Sequence, residues 1–369
     1  VYALKEKGYR FVLAHQGPTL EEKYGYRGKL FDKIIKLPAQ KEAYEYIFLL
    51  RFRKVLNKII SEENIELIHS HNSPDFLTVA AIRYTELPVV HDTHDMISTM
   101  DKDTIKFNSI IYKTLQRVKL GRLMGGDDPA RVMQKFEREA NERSDARIYA
   151  SPYWMELAMR KYNIDKRTSI VFYNYPLWKD IPSSIQPKLS EKDGEVHIVY
   201  EGSVSSAKKS VRYLLPLFEE IAKRKIHIHI YAVPMAGNVR HLVPYERTAR
   251  DNRYMHFHGT QELEKLLAEL SKYDFGLIPS PEHVDSLLLD TALPNKMFEY
   301  LSCGLPVISA RLRSIEQFIN LNKVGFVFDD TEELVAKLNT EKYTIKNRYK
   351  YTMEKNISKL INLYDKVMQ

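Results

Sequence analysis

Residues 293–310 read LPNKMFEYLSCGLPVISA, and the fold follows from how that string must bend. Pro294 stiffens a loop, after which NKMFEYLSC has the spacing of a short helix. Gly304 stands where a helix closes, and Pro306 leads into Val307-Ile308-Ser309-Ala310, an apolar run that reads as a strand. A helix that opens from a loop exposes unpaired N–H groups and the positive end of its dipole, which suits a diphosphate. Asn295 and Lys296 lie in its first turn, and Glu299 follows Lys296 by three residues on the same face. A cation for phosphate and a carboxylate for a ribose diol, one turn apart, suit a nucleoside diphosphate. An ordinary amphipathic helix with a surface Lys and Glu would carry the same pair.

The rest of the chain bounds that reading. Its 369 residues suffice for two domains, and 44% hydrophobic with 28% charged residues is ordinary for a globular protein. The single cysteine, Cys303, excludes an internal disulfide and a Cys-based zinc site, and its apolar setting favours a packed residue over a nucleophile. A net charge of +8 favours anionic partners. The basic residues are spread out, with no zinc finger or RNA-binding signature, so nucleic acid is not an expected partner. No run of 18 apolar residues exists to span a bilayer. These features predict a cytoplasmic protein. The chain opens on what reads as the end of a helix, residues 1–8, followed by a strand at 9–14, which predicts a further strand ahead of the first residue.

Apolar runs alternate with helical stretches, the mark of parallel sheets covered on both faces. In the first half, strands are expected at 9–14, 66–69, 87–91, 146–150 and 170–173, with helices at 41–63, 74–85, 130–143 and 152–162. Residues 176–194, with Pro176, Pro182 and Pro187, read as a linker. The second half carries strands at 196–200, 226–232, 255–257, 275–278, 306–309 and 325–328. Helices are expected there at 210–224, 261–271, 295–303, 314–320 and 331–339, and a final one near 347–368. The predicted fold class is α/β: two Rossmann-like domains, 1–180 and 181–345, facing a central cleft, with residues 346–369 forming a helix that returns to the first domain.

The 293–310 segment resembles the P-x-K-x-x-E-Y-x-x-x-G-x-P-V-I pattern of GT-B glycosyltransferases, especially glycosyltransferase family 4. Further matches follow in order. His256-Phe257-His258-Gly259 resembles the strand and glycine ahead of the donor site. Tyr273-Asp274-Phe275-Gly276-Leu277-Ile278-Pro279 resembles the strand that leads to the donor-sugar loop. In the first half, Ile68-His69-Ser70-His71 and residues 89–95, VVHDTHD, resemble two strand ends that face the cleft. Residues 141–151, NERSDARIYAS, resemble the stretch that ends in a serine near the close of that domain.

That resemblance implies a retaining, metal-independent glycosyltransferase with a nucleotide-sugar substrate and no cofactor. Basic side chains and helix N-terminal amides would neutralise the leaving diphosphate. The matching positions are the Gly202-Ser203 turn, Lys208, Lys209, Asn295 and Lys296. Glu299 would hold the ribose hydroxyls. His94 would contact the donor sugar, with Asp95 orienting it or the acceptor. Two departures stand out. Where the family carries the first of two glutamates seven residues apart, this chain has Thr291, and the usual Gly-Arg turn is Gly202-Ser203.

Other features remain to be placed. Asp101-Lys102-Asp103 has the D-x-D form of a manganese site, although no matching fold surrounds it. Residues 102–126 pair a basic face with Phe107, Ile111, Leu115 and Val118 at helical spacing, which suits an anionic membrane surface or an ordinary helix packed on its domain. The expected reaction moves a sugar to a polysaccharide, cell-envelope or lipid-linked acceptor, peripherally on the inner face of a membrane. Two alternatives are a non-catalytic partner subunit with this fold and a sugar-nucleotide epimerase.

Overall fold

The computed structural model describes residues 1–15, 30–37, 45–71, 75–94, 96, 129–281 and 287–369. They form two compact units, one of residues 1–172 with 357–369 and one of residues 173–356.

In the first unit, β1 (Val12–His15) pairs in parallel with β2 (Lys33–Lys36). β3 (Ile68–His71), β4 (Val89–Thr93), β5 (Ala146–Tyr149) and β6 (Ser169–Val171) form a parallel sheet in that order. Helices Glu45–Glu63, Phe76–Tyr84, Pro129–Arg143 and Pro152–Lys161 connect the strands, close to the expected spans. Strand β2, sequence KIIK, was not anticipated, because four residues are too few to show a period. The end of helix Met353–Met368 belongs to this unit: the Tyr364 hydroxyl lies 2.5 Å from His69 Nδ1, and Lys366 Nζ donates to the Arg167 carbonyl at 2.7 Å.

The second unit is one parallel six-stranded sheet. Its strands are β7 (His197–Val204), β8 (His227–Pro234), β9 (Met255–Gly259), β10 (Phe275–Ile278), β11 (Val307–Ala310) and β12 (Gly325–Phe328). All six fall on the expected runs. Their spatial order is β12-β11-β10-β7-β8-β9, so the winding reverses between β7 and β10. In a doubly wound sheet, the carboxyl ends of the strands at such a reversal form the ligand crevice.

The division between units falls at 172/173 rather than 180/181, because residues 173–194 are fastened to the second unit. The Leu189 amide donates to the Lys272 carbonyl at 2.9 Å, Lys188 Nζ donates to the Ser271 carbonyl at 2.9 Å, and the Tyr173 ring stacks on Phe298 at 4.8 Å. A proline-rich segment is therefore an ordered part of the fold here, not a loose linker. Helix Val243–Arg250 was also unanticipated: Pro244 reads as a breaker, but it sits in the first turn, where no N–H is needed.

Helix Asn295–Ser302 buries Met297, Phe298, Tyr300 and Leu301 completely. Each such side chain stabilises the fold by about 1.5–3 kcal/mol relative to exposure. Gly304 closes the helix at φ +81°, as its position predicts. Cys303 is buried, with its thiol pushed up to about 12 by burial, so it packs rather than reacts.

Candidate functional site

Helix Asn295–Ser302 is keyed to the reversal point by one tyrosine. β10 pairs with β7 through Phe275–Ile198 and Gly276–Val199, and beyond them β7 has no partner on that side among the described residues. The Glu201 amide donates instead to the Tyr300 hydroxyl at 3.0 Å, and that hydroxyl lies 3.5 Å from the carbonyls of Val199 and Leu277. The Tyr300 ring lies directly on Gly276, where a Cβ would stand 2.3 Å from it. A side chain thus replaces a missing strand, and it sets the register of the helix that carries Lys296 and Glu299.

Lys296 is half-buried, and its amine lies 4.2 Å from the centroid of the Tyr200 ring. Gly202, at φ +136°, leaves room for it: a Cβ there would come within 2.7 Å of Nζ. Burial lowers the amine's pKa to about 7, helped by the charge of Arg212 and opposed by Glu201 and Glu299. Pro294 caps the helix without a side-chain hydrogen bond, and the Met297 amide donates to the Pro294 carbonyl at 3.1 Å. Glu201 is buried, and its carboxyl is pushed well above the usual range by burial and by Glu299, to which it hydrogen-bonds. Both influences favour its protonated form. A second carboxyl, from β7, thus stands beside Glu299.

The other candidates fall at different distances from this centre. Ser203 accepts from the Tyr200 hydroxyl through its carbonyl at 2.7 Å, which closes the turn. Lys208 and Lys209 are exposed in the turn after β7, and Asn295 is exposed at the helix start. Arg212, overlooked in the sequence, is the cation whose charge reaches Lys296. Its loop is closed by the Ser205 amide donating to the Arg212 carbonyl at 2.8 Å, and Tyr245 donates to Ser205 O at 3.0 Å. Asp290 caps another helix, accepting from the Arg313 amide at 2.8 Å, and the buried Thr291 hydroxyl donates to Leu287 O.

In the first unit, strand register sets His71 opposite Asp92 at the carboxyl ends of β3 and β4. Asp92 Oδ2 lies 3.2 Å from His69 Nε2, 3.2 Å from His71 Nδ1 and 3.6 Å from His94 Nε2. His71 Nδ1 and His94 Nε2 are 2.8 Å apart. Asp92 stays ionised: although burial opposes it, hydrogen bonds from the three imidazoles hold its carboxyl well below the usual range. His69, His71 and Asp92 also have ligand atoms close enough to share a metal ion. Asp92 was missed because only the β3–β4 register reveals it. Asp95, Asp101, Asp103 and the 102–126 stretch lie outside the described residues.

Two parallel α/β units in one chain, the second a doubly wound sheet, have the architecture of the GT-B class. Residues 1–174 match the family model described as Glycosyltransferase Family 4, and residues 216–365 match that of Glucosyltransferase 3-like, C-terminal domain. Both halves of the chain thus match glycosyltransferase domains, and the protein is a glycosyltransferase of GT-B fold with a family 4 first half. Among solved structures, a glycosyltransferase from Rickettsia africae is similar at 15% identity and TM-score 0.67, over 99% of this chain and 92% of that one. Sucrose-phosphate synthase from Thermosynechococcus elongatus gives 13% and 0.66, over 99% and 90%. HepE from Anabaena, solved with UDP and glucose, gives 14% and 0.57, over 96% and 90%. No curated protein sequence matches the chain. Among the described residues, no helix is long and apolar enough to cross a membrane.

Two expectations follow from the geometry. A diphosphate bound beside Lys296 would favour the charged form of its amine, whose pKa burial lowers to about 7. Nucleotide binding should therefore take up a proton, and affinity should fall as pH rises from neutral to about 9. Calorimetry in two buffers of different ionisation enthalpy measures the uptake; a flat affinity profile over that range contradicts it. Second, Glu201→Gln keeps a neutral donor beside Glu299 and should bind nucleotide like the parent. Glu201→Ala should lose about 1–3 kcal/mol of stability, read by urea unfolding. Equal damage from both changes would mean that Glu201 is ionised.

Proposed function

We propose that the protein transfers a sugar with retention of anomeric configuration and needs neither a metal nor a cofactor. The observation that carries this reading is the Lys296 amine, set beside Glu299 at the reversal point of the second unit's sheet. A fixed cation there, with helix amides, neutralises the charge of a departing diphosphate as it develops. Glu299 holds the ribose diol. Gly202 and Ser203 allow the phosphates to approach, and Asn295, Lys208, Lys209 and Arg212 add donors and positive potential around them. His94 and Asp95 act on the transferred sugar, with Asp92 fixing the His94 ring. The acceptor hydroxyl enters on the face that the diphosphate leaves.

The acceptor we propose is a polysaccharide, cell-envelope or lipid-linked glycan, reached from the cytoplasmic face of a membrane. The basic, amphipathic sequence of residues 102–126 and the net charge of +8 support an anionic surface as partner. The donor to try first carries UDP, the nucleotide found in the Anabaena neighbour.

The test is a titration of UDP, GDP and ADP, followed by NMR of the product formed with the best sugar donor. One nucleotide should bind, the product should keep the donor's anomeric configuration, and EDTA should leave the rate unchanged. Inversion, or loss of rate in EDTA, overturns the mechanism. Absence of binding to all three overturns the assignment of the site. A sugar altered in the absence of any acceptor would reveal epimerisation instead.

A further inference from the structure

A row of five imidazoles runs across β7, β8 and β9, away from Lys296. His197 begins β7, His227 and His229 alternate on β8, and His256 and His258 alternate on β9, so period-two spacing gathers all five on one face. His197 stacks on His227 at 4.3 Å, His229 stacks on His256 at 4.3 Å and on His258 at 5.3 Å, and His258 stacks on Tyr231 at 4.5 Å. β9 is the outer strand of the sheet, and its pairing with β8 shifts register after Ile230.

Hydrogen bonding fixes where the protons of these rings lie. His197 Nε2 is 3.0 Å from Asp193 Oδ2 and His227 Nε2 is 2.6 Å from Glu195 Oε2, so both donate to a carboxylate. Their Nδ1 atoms then accept, His197 from His229 Nε2 at 2.9 Å and His227 from His256 Nε2 at 2.8 Å. His229 Nδ1 in turn accepts from His258 Nε2 at 3.0 Å. Both nitrogens of His197, His227 and His229 are therefore used. A further proton must enter at Nδ1 of the half-buried His256 or His258. The groups that face the rings offer it little compensation. Glu195 meets Arg253 at 3.4 Å, Glu269 is paired with Lys272, and Asp274 accepts from the His197 amide at 2.8 Å beside the charge of Lys188. Asp193 alone of these carboxylates has no Lys or Arg partner among the described residues. The Tyr254 and Tyr273 rings complete the surroundings, 4.9 Å from His227 and 4.6 Å from His229.

We propose that the five rings form an acid-operated latch: in mild acid, protonation of His256 and His258 releases β9 from β8, and a return to neutral pH closes it again. Two imidazolium rings there would flank His229 with one uncommitted carboxylate to offset them, and like charges this close repel. β9 is the strand that lets go, because it supplies both points of proton entry and has a neighbour on one side only. The direction follows from linkage. Burial holds the His256 imidazole down to about 4, with the neighbouring rings adding to it, and burial with the charge of Lys272 lowers His258 against the pull of Glu269. Released from the fold, such rings titrate near about 6.5. The open state therefore binds protons more tightly, so the latch is closed above about 6.5 and weakens as pH falls toward about 4. Asp193 and Glu195 respond only in stronger acid. Hydrogen bonds from the Glu195 amide and His197 to the first, and from His227 to the second, hold both carboxyls below the usual range.

The test is hydrogen–deuterium exchange of the full chain from about pH 7.5 to about pH 5, with rates corrected for the intrinsic pH dependence of exchange. Over that range, protection of β8 and β9 should fall about tenfold or more and return on neutralisation, while β11 in the same sheet changes by less than about twofold. His256→Gln with His258→Gln keeps a side-chain N–H for each partner ring but cannot gain a proton. That variant should hold its protection in acid. Loss of protection in the variant equal to the parent's overturns the proposal. So does equal loss in β11, which would be general unfolding, and so does a flat profile in the parent, which needs no variant to read. None of these results bears on the Lys296 site.

Discussion

Lys296→Met is expected to lower turnover by about 10²–10³-fold, the loss found when one preorganised group that meets developing charge is removed. Methionine matches the length of the lysine stem and keeps an apolar contact with Tyr200, so packing is preserved while the charge disappears. Stability should move the other way. The folded-state pKa of the amine is lowered from 10.5 to about 7, so below the ordinary lysine range the unfolded chain binds its proton more tightly. Keeping a charged amine here therefore costs stability at neutral pH, a cost that lessens as pH rises toward the unfolded value. Lys296→Met should unfold at the same temperature as the parent or higher while losing nearly all its rate. Such opposed effects mark a group kept for function rather than for folding. A variant with parental turnover would remove the amine from the leaving-group site, and one that is slow only because it unfolds would show a lowered Tm.

Whatever depends on neighbours along the chain was legible in the sequence; whatever depends on strand register was not. The helix at 295–302, its glycine stop and the six strands of the second unit follow from local periodicity and turn chemistry. Lys296 and Glu299 were read from their helical spacing. Glu201, Tyr200 and Arg212 meet them only because the chain reverses between β7 and β10, and no spacing rule within one segment encodes that meeting. Asp92 was hidden for the same reason. It faces His71 across a strand pair, whereas the sequence draws the eye to the adjacent His94 and Asp95. The two departures from the family pattern also resolve in three dimensions. The carboxyl absent at Thr291 has a counterpart in Glu201 on β7, and the arginine absent at Ser203 has one in Arg212, nine residues along a loop that folds back to the amine.

Gly276→Ala is the change expected to cost most in stability. The added Cβ would stand 2.3–2.7 Å from three ring carbons of Tyr300. That ring is fully buried, so it has no low-cost way to retreat. Overpacking of this kind costs about 1–3 kcal/mol and sometimes more. Relief would come from lifting the helix, which would break the bond from the Glu201 amide to the Tyr300 hydroxyl and carry Lys296 and Glu299 with it. Tyr300→Phe isolates the second effect. It leaves the ring on Gly276 but orphans a buried N–H, for about 1–3 kcal/mol, and frees the end of β7. Urea unfolding and nucleotide titration of the two variants separate the contributions. If the tyrosine sets helix register, both variants lose nucleotide affinity, and Gly276→Ala loses more of it. If Tyr300→Phe binds nucleotide as the parent does, packing on Gly276 alone holds the helix, and the hydroxyl serves only to satisfy the backbone of β7.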